Sequence, residues 1–159
     1  MAARIGCVRM PDRTAHAYAL LQWATAVYAF GLVVHTVDHL RRGIGVLTHE
    51  VLWAGNLSTL AGMALIALVY ARNRAAPAAA VVLGFPTALG VAAVHLLPRW
   101  SPFSDAFVGA HAHHTGVTPI SWVVVLVEII GALGMGIAGL LVLTASQPAD
   151  RIGRRPNAT

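Results

Sequence analysis

Lysine is absent from the 159-residue chain, and cysteine occurs once, as Cys7. A single thiol excludes an intrachain disulfide and any CxxC metal motif. Charge is scarce too. Charged residues make up 11% of the chain, against about 25% in a soluble domain, and this excludes an ordinary water-soluble fold. The GxSxG pattern is missing, and Ser101 and Ser104 stand in no supporting motif, so no serine nucleophile is indicated. The eleven basic residues are all arginine and outnumber six acids, for a net charge of +5. They are scattered over the chain ends and short connections, with no basic face and no interleaved aromatics. That distribution excludes nucleic acid as a partner. No internal repeat or low-complexity run is present.

Apolar residues make up 57% of the chain. They fall into four stretches, residues 18–40, 51–71, 78–97 and 119–145, each near or beyond the ~20 residues needed to cross the hydrocarbon core as a helix. Unpaired backbone groups are not tolerated in lipid, so helix is the expected state. The fold class expected is all-α, an integral membrane four-helix up-down bundle over residues 18–145, with the lipid bilayer as its surroundings. Polar tails cover 1–17 and 146–159. Arg4, Arg9 and Arg13 before "AVYA", ending at Ala29, imitate a signal peptide. The apolar run continues past that point, whereas a signal h-region is normally about 7–15 residues, so an uncleaved span is expected.

The arginines orient the chain. Arg4, Arg9, Arg13, Arg72, Arg74, Arg151, Arg154 and Arg155 fall on one side of four alternating spans, and Arg41, Arg42 and Arg99 on the other. The positive-inside rule then predicts a multi-pass protein of the bacterial cytoplasmic (inner) membrane with both termini cytoplasmic. The connection 98–118 becomes a long outer loop, beyond the ~12–15 residues at which a structureless loop is expected to be functional or disordered. Pro98, Pro102 and Pro119 punctuate it. "WSPF" and Phe107 are expected to anchor it along the membrane face.

Seven of the eight histidines lie in the outer half, with Asp38, Glu50, Asp105 and Glu128. In "HTVDH", His35, Asp38 and His39 are spaced i, i+3 and i+4, so all three share one helix face. At 1.5 Å per residue, His35 lies about 6–8 Å inside the membrane, His95 about 3 Å and Glu128 about 12–14 Å, with Asn56 near the depth of His35. Glu128 is the most informative residue, because an intramembrane carboxylate is costly and normally faces the bundle interior. It serves either a functional site or a structural hydrogen bond between helices.

Imidazoles at i and i+4 can hold one ion, as in HExxH. The candidate metal ligands are His35, His39, His95 and Glu128, with zinc, copper or iron suited to such a set. A haem between His35 and His95 is the alternative cofactor. Asp38 either orients an imidazole or pairs with Arg41 or Arg42. Asn56, His49 and Glu50 are expected to line the site. His111, His113 and His114 in "HAHH" are loop candidates, with the composition of a metal tract. The small-residue stripes Ala132–Gly136–Gly139 and Ser58–Gly62 are read as helix packing. Pro86 is expected to kink the third span.

"YAFGLVVHTVDHLRRG", "HLLPRWSPFSDAF" and "HTGVTPISWVVVLVEIIGALG" together resemble a group of small bacterial four-span integral membrane proteins with no established activity. The resemblance covers most of the chain after the N-terminal tail. It implies a membrane location and no particular chemistry. Three functions therefore stand side by side. One is a membrane protein with an outer metal or haem site. The second is a proton-coupled transport or relay component using Glu128, acting as a homo-oligomer or within a larger membrane complex. The third is a scaffold or assembly subunit whose polar cluster serves packing alone.

Overall fold

The computed structural model describes residues 13–147, so the tail positions 1–12 and 148–159, with Arg4, Arg9, Arg151, Arg154 and Arg155, lie outside the described residues. Four α-helices are present: α1 (Arg13–Arg42), α2 (His49–Tyr70), α3 (Ala76–His95) and α4 (Pro119–Ala145). Two short 3₁₀ turns, Ile44–Val46 and Ala110–Thr115, lie in the connections. No strand occurs among the described residues. All four helices are long and apolar enough to cross a membrane. The helices match the expected spans with small extensions. α1 gains a turn at its N-terminal end and two residues at the other, and α3 stops at His95.

Local chemistry sets the helix ends. α1 finishes on His39, Arg41 and Arg42, cations that complement the partial negative charge of a helix C-terminus. Gly43 follows at φ 87°, a conformation that halts the helix and suits a residue without a side chain. Thr48 caps α2, its hydroxyl accepting from Val51 N–H at 3.2 Å. Between α2 and α3 the chain turns through Arg72 at φ 52°, and the Asn73 side chain accepts from Ala75 N–H at 2.9 Å. Pro77 lies in the first turn of α3, where its missing N–H would be unpaired anyway. Pro86 lies inside α3, which is one unbroken element through it.

α4 is the central element, packed on α1 along one face and α3 along another. It runs antiparallel to α1. Thr14 reaches the Ala145 carbonyl at 3.4 Å at one end, and Arg41 reaches Ser121 Oγ at 3.1 Å at the other. The two backbones nearly touch between. A Cβ on Gly31 would lie 2.6 Å from Glu128 Cα, and one on Gly131 would lie 2.5 Å from Tyr28 N. The stripe of Ala132, Gly136 and Gly139 faces α3. Gly84 sits against Ala132 and Gly136, and Gly139 against the Pro77 carbonyl. Gly62 of α2 seats the Tyr28 ring. The expectation of close helix approach therefore agrees with the structure for Ala132, Gly136 and Gly139, while Gly62 meets a side chain. The core between helices includes Leu21, Tyr28, Leu65, Val69, Met135 and Val142.

The long connection after α3 is folded, and Phe107, expected to anchor it along the membrane face, points into the protein instead. Asp105 N–H donates to the Val94 carbonyl at 3.0 Å and Phe107 N–H to the His95 carbonyl at 2.8 Å. Trp100 Nε1 donates to the Ala93 carbonyl at 3.0 Å. These bonds satisfy carbonyls at the end of α3 that have no partner within the helix. They also turn Phe107 inward, where it is 4% exposed. Its ring packs on His95 and Trp122.

Candidate metal centre

The loop and three helices enclose a polar cluster at one end of the molecule. α1 supplies His35, Asp38, His39, Arg41 and Arg42, α3 supplies His95, α4 supplies Ser121 and Glu128, and the loop supplies Asp105. His35, Asp38, Arg42, His95, Asp105, Ser121 and Glu128 are all buried. The three imidazoles are mutual neighbours, with ring centres 4.5 Å apart for His35–His39, 4.8 Å for His35–His95 and 5.6 Å for His39–His95. One ligand atom from each lies within 4.8 Å of the other two.

These separations can be compared with what an ion requires. Metal–nitrogen bonds of about 2.0–2.1 Å at tetrahedral angles put ring centres about 5.2 Å apart and ligand nitrogens about 3.3 Å apart. The observed ring separations bracket the first figure. The nitrogen spread exceeds the second, so small ring rotations would be needed to close the site. Tetrahedral coordination by three imidazoles leaves one position open. A haem does not fit. Its axial imidazoles must lie on opposite faces of the porphyrin, and the edge-to-face contact of His35 with His95 at 4.8 Å leaves no space between them.

Hydrogen bonds assign the ring nitrogens. His35 Nδ1 is hydrogen-bonded to Glu128 Oε2 and donates to it when Glu128 is the carboxylate. His95 Nδ1–H donates to the Asp105 backbone carbonyl at 3.1 Å. Each ring therefore has its lone pair on Nε2, the tautomer used by metal-bound histidines whose other nitrogen is tied to a carboxylate or carbonyl. His35 Nε2 is buried and has no hydrogen-bond partner. A buried polar atom of this kind calls for an explanation. Glu128 thus orients a candidate ligand and is not itself one of the three clustered ligands.

The surrounding charges are paired. Arg41 Nε donates to Asp38 Oδ1 at 2.9 Å, and its Nη2 donates to the Gly116 carbonyl, Thr118 Oγ1 and Ser121 Oγ. Arg42 lies between two carboxylates. It donates to both Asp105 oxygens, and its Nε stands 3.3 Å from Asp38 Oδ2. Burial by itself would raise the Asp105 carboxyl, but hydrogen bonds from His95 and Arg42 and the Arg42 charge outweigh it, holding Asp105 well below the usual carboxylate range. A polar recess of about 90 Å³, lined in part by Thr48, Arg99, Ser104, Asp105 and Thr115, adjoins Asp105.

The structure thus brings together His35, His39, His95, Glu128 and Asp38 from the expected set. Asn56, His49 and Glu50 are exposed and take no part. Asn56 has the right height but the wrong azimuth. The buried positions Val51 and Gly62 of α2 lie about 120–140° around the helix from it at 3.6 residues per turn. Asp38 binds arginines and not an imidazole. His114 is exposed, and the side chains of His111 and His113 lie outside what is described. The depth mismatch expected between His35 and His95 does not arise. α1 continues seven residues past His35, about 10 Å, so the end of α3 meets α1 two turns below its tip.

Asp105 and Arg42 are the residues that spacing alone did not assign to the site. The available signal was an acid in a long loop on the same side as two arginines at a helix end. No protein-family model, curated protein or solved structure matches the chain.

Proposed function

We propose that this chain is a small multi-pass membrane protein that binds one transition-metal ion through His35, His39 and His95, at the outer end of an up-down four-helix bundle. The observation that carries the reading is the convergence of three imidazoles from two helices, one of which, His35, has a buried and unpartnered Nε2. All-nitrogen donors suit zinc or copper. Glu128 and the Asp105 carbonyl hold two of the rings in the ligating tautomer. Full-length protein purified in detergent should carry close to one zinc or copper ion per chain after loading. His35→Ala should drop this below a tenth while the helical circular dichroism is retained. Metal-free protein whose melting temperature is unmoved by either ion would overturn the reading.

The arginine distribution supports insertion in a bacterial cytoplasmic membrane with both termini cytoplasmic, and on that reading the cluster lies toward the outer side. Lipid contact has its own test. Trp23 and Trp53 are 74% and 76% exposed on apolar helices. In reconstituted vesicles their fluorescence should fall strongly with acyl-chain-brominated lipid and weakly with aqueous iodide. The reverse pattern would argue against those faces meeting lipid.

A proton relay is the second reading, favoured by the buried hydrogen bond between His35 and Glu128. It requires vesicle proton flux abolished by Glu128→Gln, with no metal dependence. Absence of both flux and metal binding leaves the scaffold role.

A further inference from the structure

The third imidazole of the cluster differs from the other two. Arg42 Nη2 stands 2.8 Å from His39 Nδ1. A guanidinium only donates, so His39 Nδ1 is the acceptor, and the neutral ring carries its proton on Nε2. His39 therefore offers no spare lone pair: one nitrogen is engaged by Arg42 and the other bears hydrogen. His35 and His95 each present an Nε2 lone pair. As folded, the cluster has two ligands ready and one withheld.

The group that withholds it is itself firmly held. The Arg42 side chain is fully buried. It is fastened to both oxygens of Asp105, and its guanidinium lies 5.2 Å from the centre of the Phe107 ring. Giving up the bond to His39 leaves those contacts in place. The His39 side chain is also the most accessible of the three, 19% exposed against 9% for His35 and 4% for His95. It thus has more room to turn.

Resting on the metal-site reading above, we propose that Arg42 is a positioning residue that governs whether His39 joins the ion. Zinc is first captured by His35 and His95. His39 then leaves the Arg42 N–H, turns, and closes the site as third ligand. The guanidinium competes with the ion for the same ring, so it lowers affinity and delays closure.

The test uses the full chain in detergent with zinc as the only added ion. Wild type should bind zinc in two phases, a fast bimolecular capture and a slower step whose rate stops rising with zinc concentration. X-ray absorption should count three imidazoles at the end. Arg42→Met removes the guanidinium that donates to His39 Nδ1 and leaves Asp105 beside His95. It should lose the slow phase and bind zinc about tenfold tighter. The double variant Arg42→Met/Asp105→Ala removes both charges together and serves if the single variant does not fold. Variants with wild-type affinity and kinetics, or a wild-type spectrum with only two imidazoles that the variants do not change, would overturn the proposal. Zinc binding lost in His35→Ala but indifferent to Arg42 would leave the metal site standing without this control. Wild type that takes up no zinc removes both.

Discussion

Gly131→Val is expected to prevent α1 and α4 from docking and to cost about 3 kcal/mol or more, the upper part of the range for overpacked interiors. A Cβ at this position would fall 2.5 Å from Tyr28 N, 2.6 Å from Tyr28 Cα and 3.0 Å from the Val27 carbonyl carbon. These are backbone atoms of a neighbouring helix, so no rotamer change relieves the clash. The helices must separate, and small residues at such crossings exist because contact between backbones is what holds membrane helices together. The effect should reach the cluster. Glu128 is one turn away on α4, and its backbone touches Gly31, so separation pulls its carboxylate from His35. Thermal denaturation in detergent should show a melting point many degrees lower, with loss of any metal binding. Gly90→Ala is the control, since nothing lies within 4 Å of a Cβ there. Equal melting points for the two variants would contradict the close approach of α1 and α4.

Asp105→Ala is expected to destabilise the protein by about 3–5 kcal/mol, the usual penalty for removing one partner of a buried ion pair. Most of this comes from the Arg42 guanidinium, which would be left buried with only its contact to Asp38 and the acceptor on His39. Arg42→Met in the same chain removes that stranded charge. Asp38 keeps Arg41 as a partner. The double variant should therefore recover at least half of the lost stability, giving a large coupling energy in a double-mutant cycle. Additive losses would show that the loop and α1 are not joined through this pair. The same experiment measures how firmly the loop is fixed over the histidines, since Asp105 is also tied through its backbone to Val94 and His95.

The helices were legible because their signal is local. Four long charge-poor runs admit one backbone solution in lipid, and the observed boundaries lie within a few residues of those runs except at the start of α1. Glu128 was legible for a related reason. A carboxylate nine residues into an apolar helix must face protein, and it is 2% exposed. The i, i+4 spacing put His35 and His39 together for the same local reason.

Azimuth and loop fold were not legible. Depth along a helix follows from counting residues, but the direction a residue faces depends on which neighbour the helix packs against. Asn56 therefore matched the cluster in height and points away from it. The residues 98–118 carry no periodicity to read. Their path is set by carbonyls left open at the end of α3, which pull Asp105 and Phe107 inward. Composition and spacing thus decide that this chain is helical, apolar enough to cross a bilayer, and rich in imidazole near one end. The partners of each imidazole were decided by long-range contacts: Glu128 for His35, Arg42 for His39 and the Asp105 carbonyl for His95. Hydrogen bonds are directional and short, so which nitrogen keeps a lone pair depends on ångström-scale placement that no residue spacing encodes.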